Sequence, residues 1–228
     1  MTIISFSNVF MRYPGEIRAL SDISLTIEEG EMVFLTGPSG AGKSTLLKLM
    51  AGIEQASDGI LTVSGQDMSR LNRSALPYLR RKLGLIMQHH RLLNDRNVLA
   101  NVMLPLIVSG SSREEAEQRA RIALEKVGLA DKAATTPMSL SGGEQQRVSI
   151  ARAIVHRPRI ILADEPSANL DRESGRVVLD MLQAFNDAGV TCVISTHDER
   201  LLERADRVVL LEQGKIAAIH TTGNEVGL

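Results

Sequence analysis

The sequence predicts an α/β fold with a mostly parallel core sheet and a helical lobe inserted in the sheet domain, after a first third of strands and turns. Three observations carry this. Met32-Val33-Phe34-Leu35 is a continuous apolar run, ended by Gly37 and followed at once by the helical sequence Ser44 to Met50, which Gly52 closes. Ile160-Ile161-Leu162-Ala163 and Val190 to Ser195 are two more runs of that kind, separated by a helical stretch from Ser174 to Ala188. Alternation of buried strands with helices implies parallel strands joined by helical crossovers. Between these regions the texture is helical, from about Asn97 to Val127 and again from Ser141 to about His156.

The remaining elements follow in order. Ile3 to Val9 and Ile23 to Ile27 alternate apolar and polar residues, as half-buried strands do. Ile60 to Val63 and Leu83 to Met87 are further strands. Ser112 and Glu115 have capping-box spacing, and Gly128 supplies a stop. Arg207 to Leu211 and Lys215 to Ile219, joined by Glu212-Gln213-Gly214, form a closing hairpin, and the tail from Thr221 is short and polar.

Composition bounds the function classes. The 228 residues suffice for one domain with a core, or one domain and a small lobe. A net charge of -1 creates no field toward nucleic acid or anionic lipid, and 3% aromatics with no Trp leave few platforms for base stacking. Cys192, the single cysteine, sits in an apolar run and reads as a buried strand residue. Met1 to Ser7 lack a basic start and a long apolar stretch, so no signal peptide is expected there. The apolar stretch from Val98 to Val108, interrupted by Asn101 and Pro105, is far short of the about 20 residues of a membrane span.

Gly37-Pro38-Ser39-Gly40-Ala41-Gly42-Lys43-Ser44 matches the phosphate-loop pattern without gaps, and Thr45 follows it. Glycines let successive N–H groups converge into an anion nest, and the helix beginning near Lys43 adds its positive end. Lys43 can then reach the β- and γ-phosphates, and the Ser44 hydroxyl can ligate Mg²⁺, so the expected ligand is Mg-ATP. Asp164 and Glu165 end the run from Ile160, at the edge where α/β sheets bind ligands. Asp164 is placed to hold Mg²⁺ through its water shell. Glu165 can either polarise an attacking water or act as its base. Alone, two acids after a strand are as well explained as solvated loop residues; beside a phosphate loop they supply the metal ligand and water activator that a nucleotide needs.

Leu140-Ser141-Gly142-Gly143-Glu144-Gln145 reads from its residues as an ordinary S-x-x-E cap with bare glycines at a helix start. The hexapeptide is also identical to the signature of ATP-binding-cassette (ABC) ATPases, and it lies between the phosphate loop and the acidic strand, as it does there. Nearly the whole chain resembles that family. The resemblance implies that Ser141, Gly142, Gly143 and Glu144 complete the ATP site of a second cassette. Tyr13 would stack on adenine, although by itself it also reads as an edge-strand aromatic. Gln88 would be the glutamine that contacts Mg²⁺ and the attacking water, although Met87 stands before it where many relatives have an aromatic. Asp171 would be the aspartate of Ser167-Ala168-Asn169-Leu170-Asp171, and His197, in Ser195-Thr196-His197-Asp198, would read the γ-phosphate.

Within the family, one cassette without a coiled-coil insert or basic linker resembles subunits that serve a membrane partner. The segment Gln88-His89-His90-Arg91-Leu92-Leu93-Asn94-Asp95-Arg96-Asn97-Val98 resembles the bacterial cell-division branch, as do Asn101-Val102, Leu104-Pro105-Leu106 and Phe34-Leu35-Thr36. The lipoprotein-releasing and macrolide-export branches share much of this core. The resemblance implies one P-loop NTPase cassette over residues 1–228, with an antiparallel β subdomain beside the mostly parallel core sheet and a helical lobe at about 89–157. It also implies an ATP-bound homodimer on the cytoplasmic face of the bacterial inner membrane, reaching the membrane only through its partner. A different class remains open: an ATP-dependent regulatory or scaffold module with little turnover.

Overall fold

The computed structural model describes residues 1–221 except 16, 73 and 89–91. In chain order the strands and helices are β1 (Thr2–Tyr13), β2 (Ile17–Glu28), β3 (Met32–Thr36), α1 (Lys43–Met50), β4 (Asp58–Val63), β5 (Gln66–Asp67), α2 (Leu76–Arg80), β6 (Leu83–Ile86), α3 (Val98–Val108), α4 (Arg113–Lys126), α5 (Gly142–Ile154), β7 (Ile160–Asp164), α6 (Arg172–Asp187), β8 (Thr191–Ser195), β9 (Arg207–Glu212) and β10 (Lys215–Thr221). They form two sheets. An antiparallel one runs β2-β1-β4-β5, and a larger one runs β10-β9-β3-β8-β7-β6. In the larger sheet every pairing is parallel except that of β10 with β9.

The apolar runs of the central strands explain the layering. Successive side chains point to opposite faces, so a run that is apolar throughout feeds two cores. Met32, Phe34, Ile161, Ala163, Cys192 and Ile194 join one cluster with residues of α3, α4, α5 and α6. Val33, Leu35, Ile160, Leu162 and Val193 join the other, with α1 and the inner face of the antiparallel sheet. Phe34 is fully buried, and removing a side chain of that size from water contributes about 1.5–3 kcal/mol. A two-residue turn at Gln213 and Gly214, both with positive φ, joins β9 to β10 as the hairpin expectation required.

Several expected boundaries move. The helical stretch from Asn97 to Val127 is two helices, divided at Ser109–Ser112, where Gly110 takes φ 92°. Asn97 caps the first, accepting from the Ala100 N–H at 2.8 Å. Ser112 caps the second, but the capping box expected there is only half made, because the Glu115 carboxylate turns to Arg119 at 3.3 Å. At Ser141 the box is complete. The helix expected from Ser174 begins at Arg172, since the Asp171 carboxylate accepts from the N–H groups of both Glu173 and Ser174. The short helix α2 carried no expectation. Of the segment after Gln88, His89, His90 and Arg91 lie outside the described residues, as does the tail beyond Thr221, which itself closes β10.

Cys192 is fully buried, and burial pushes its thiol up to about 12. At pH 8 the native protein should therefore leave dithionitrobenzoate unreacted, with one thiol per chain appearing on unfolding in denaturant. Because the folded thiol keeps its proton to higher pH than the unfolded one, its contribution to stability should decline once the pH passes about 9. Rapid labelling of the native protein would contradict this placement.

Candidate nucleotide site

The loop between β3 and α1 is shaped by glycines that have no substitute. Gly37 adopts φ 132°, and a Cβ there would stand 2.0 Å from the carbonyl oxygen of Leu211. Gly42 adopts φ 107°, and a Cβ there would stand 2.7 Å from a Leu20 methyl group and 2.9 Å from the Ala19 carbonyl oxygen. Gly42 is also the N-cap of α1 and brings no side chain to satisfy the first N–H groups, which leaves them to an anion. Lys43 is buried, and its amine donates to the carbonyls of Gly37 at 2.7 Å and Pro38 at 3.1 Å. The loop's own backbone thus holds the ammonium against the nest.

The carboxyl ends of β7 and β8 approach this loop. Asp164, at the end of β7, is buried, and its Oδ1 accepts from the Ser44 hydroxyl at 3.0 Å and from the Ser195 hydroxyl at 2.6 Å. Glu165 follows with φ 50°, left-handed backbone that costs a residue with a Cβ about 1–3 kcal/mol. Its carboxylate Oε2 lies 2.5 Å from Nδ1 of His197, whose side chain is 70% exposed while that of Glu165 is 15% exposed.

A cleft of about 470 Å³, within the range of small-molecule sites, collects most of the expected residues. Tyr13, Ser39, Gly40, Ala41, Gly42, Lys43, Ser44, Thr45, Gln88, Glu165 and His197 line it. Ile17, Arg18 and Ala19, which carried no expectation, line it too. They enter because β1 and β2 bring the start of β2 beside Tyr13, through the pair Tyr13 with Ile17. That register is set by the hairpin and leaves no motif in the sequence. Gly37 and Pro38 act from behind through their carbonyls, and Asp164 through Ser44. Ser44 and Asp164 are hard oxygen donors, and Gln88 adds an amide oxygen. Such a set suits Mg²⁺, which binds one or two carboxylates together with substrate phosphates, so these residues fit the ion.

Ser141, Gly142, Gly143, Glu144 and Asp171 are not on this cleft. They form a second locus, where the N-termini of α5 and α6 meet. A Cβ on Gly143 would stand 2.7 Å from the Ser174 hydroxyl oxygen, and one on Gly142 would stand 3.7 Å from Leu170. Ser141 and Glu144 exchange hydrogen bonds, the Ser141 N–H donating to Glu144 at 2.8 Å, and this contact lowers the Glu144 carboxyl below its usual range. Bonds from Ser174 do the same to Asp171. The two loci share no cavity among the described residues.

A phosphate loop at the edge of a parallel sheet, with acids at the end of the neighbouring strand, defines a nucleoside-triphosphate hydrolase core. Comparison with known proteins makes the class specific. The sequence profile of the ABC transporter family matches residues 20–168, so the chain belongs to that family, and it is an ATPase of the ABC type. It is 48% identical over 215 residues to the cell division ATP-binding protein FtsE of Escherichia coli strain K12, covering 94% of this chain and 97% of that one. It is 42% identical to the lipoprotein-releasing system ATP-binding protein LolD of Legionella pneumophila strain Paris, over 90% of this chain and 91% of that one. The solved ATP-binding cassette MJ0796, a dimer in a post-hydrolysis state bound to ADP and Pi, superposes with a TM-score of 0.90 at 35% identity, covering 97% of this chain and 99% of that one.

Replacing Lys43 by Ala removes the ammonium that the loop carbonyls of Gly37 and Pro38 hold. A charged hydrogen bond of this kind is worth about 10- to 100-fold in affinity. Titration of K43A with a fluorescent ATP analogue should show a loss of that order, and phosphate release should fall to background. Parental binding would remove Lys43 from the site.

Proposed function

We propose that this chain is the ATP-hydrolysing subunit of a membrane-associated complex in bacterial cell division. In this reading, closure of two cassettes moves an FtsX-like membrane subunit, which controls cell-wall hydrolysis outside the membrane. The observation that carries it is the 48% identity with FtsE across 97% of that protein's length. The chain is taken as one cassette over residues 1–228, with a helical lobe at about 89–157.

The separation of the two loci supports the mechanism. ATP would lie on the loop from Gly37 to Thr45, with Tyr13 against the adenine and Lys43 on the β- and γ-phosphates. Ser44, Gln88 and Asp164 would hold Mg²⁺, which neutralises phosphate charge. In a head-to-tail pair, Ser141, Gly142, Gly143 and Glu144 of one copy meet the γ-phosphate held by the other, and Asp171 lies at the same interface. Glu165 and His197 orient a water whose oxygen bonds to the γ-phosphorus as the bond to the bridging oxygen of ADP breaks; the water's proton passes to Glu165. The Glu165–His197 contact supports this division of labour, because a carboxylate already held by an imidazole loses little freedom on orienting water. After hydrolysis the bridging phosphate contact is gone and the pair reopens.

Coupling to the membrane subunit would pass through the segment after Gln88. Leu93 is exposed at 36%, whereas Leu92 packs against the helical core cluster. Buried Asn101 fixes this segment, accepting from the Leu93 N–H at 2.7 Å and donating to the carbonyls of Leu93 and Asn97 at 3.0 Å each. From the sequence both Leu92 and Leu93 are expected to face a partner helix; in the fold Leu93 is the one offered, and Leu92 supports it from beneath.

Replacing Leu93 by Asp should abolish co-isolation with an FtsX-like subunit from detergent-solubilised membranes and leave nucleotide binding unchanged. The same change at Leu92 should lower thermal stability. Retained recruitment by L93D would reject this surface. Co-isolation with a lipoprotein-release subunit in place of an FtsX-like one would reject the cell-division assignment.

A further inference from the structure

Ser195 is the last residue of β8 and is fully buried. It lies between two structural lines that meet at the nucleotide. On one side it pairs in register with Asp164 of β7, and on the other with Leu35 of β3, the strand that feeds the phosphate loop. Its hydroxyl makes two bonds of opposite sense. It donates to Asp164 Oδ1 at 2.6 Å, within the short range of charge-assisted bonds to carboxylates, and it accepts from the Glu165 N–H at 3.0 Å. The Ser195 carbonyl accepts from that same N–H at 3.2 Å.

These contacts fall on a buried carboxyl group and on left-handed backbone. Asp164 is buried and cannot be steadied by bulk water. Glu165 sits at φ 50°, a conformation that persists only when its surroundings over-determine it. Of the two hydroxyls on Asp164 Oδ1, Ser44 is itself a candidate metal ligand, whereas Ser195 acts on the carboxylate from behind, and the same hydroxyl holds the Glu165 N–H. Groups that orient a metal-binding carboxylate from behind typically change metal affinity or activity by about 10- to 100-fold when removed.

We propose that Ser195 is a positioning residue for ATP hydrolysis, one hydroxyl that orients the Asp164 carboxylate and props the strained backbone of Glu165, so that the metal-binding acid and the water-orienting acid are set by a single group. The proposal rests on the roles given above to Asp164 and Glu165.

The test uses the full chain, a fluorescent non-hydrolysable ATP analogue and a Mg²⁺ titration. For S195A the half-saturating Mg²⁺ concentration for analogue binding should rise about tenfold or more. Affinity for the analogue without Mg²⁺ should stay at the parental value, which reports an intact loop. Under saturating Mg²⁺, kcat should fall while KM for ATP holds. S195T keeps the hydroxyl and should bring both the Mg²⁺ requirement and kcat back toward the parent. Unchanged Mg²⁺ dependence and kcat in S195A would overturn the proposal. So would an S195T variant as impaired as S195A, since the hydroxyl would then not be the agent. D164N separates this result from the underlying reading. If D164N raises the Mg²⁺ requirement and S195A does not, only the Ser195 proposal fails. If D164N has no effect, the role of Asp164 fails with it.

Discussion

The carboxylate of Asp164 is the point on which the rest of the site hangs. Three elements reach it: β7 carries it, the first turn of α1 touches it through Ser44, and β8 touches it through Ser195. A buried carboxyl group is tolerated only with hydrogen-bond partners, and here the partners come from the helix that follows the phosphate loop and from the neighbouring strand. The cost of leaving that carboxylate unpaired ties the end of the sheet to the loop. The parallel pairings Asp164 with Ser195 and Leu35 with Ser195 then set the end of β7 in register with the end of the strand that feeds the loop.

The two-faced core makes this junction rigid. Continuous apolar strands send alternate residues to α1 on one face and to α3–α6 on the other, so neither the phosphate loop nor the helix carrying the signature segment can shift without disturbing a packed layer. The same rigidity keeps Ser141 and Gly142 away from the cleft. α5 delivers them beside the start of α6, where Gly143 leaves no room even for a methyl group against Ser174. In the proposed reading, the two loci held apart in one chain meet on a phosphate only when a second copy pairs with the first.

Much of this was legible in the sequence where local chemistry is demanding. The phosphate loop needs glycines at fixed positions, the central strands need unbroken apolar runs, and the Ser141 cap writes its own box. Accordingly the sheet order class, the loop and most of the cleft lining followed from residues in hand. What escaped depends on tertiary register. Nothing around Ile17, Arg18 or Ala19 announces that they line a nucleotide cleft; only the β1–β2 pairing puts them beside Tyr13. Ser195 reads as an ordinary strand end until β7 is laid against β8. Asp171 lengthened α6 by two residues because an aspartate cap competes with no visible alternative until its side chain is seen on the N–H groups of Glu173 and Ser174. The division between α3 and α4 was masked by helical composition on both sides, with only Gly110 and the Ser112–Glu115 cap spacing to mark it.

In the proposed reading each ATP site is shared between two chains, with Lys43, Asp164 and Glu165 from one and Ser141 from the other. The most direct measurement is the ATPase rate per chain across a dilution series at saturating Mg-ATP, with the dimer fraction followed in parallel by sedimentation. If the site is shared, the rate per chain falls in step with the dimer fraction and approaches zero for the monomer. A rate per chain that stays constant down to concentrations where only monomer sediments would contradict the account.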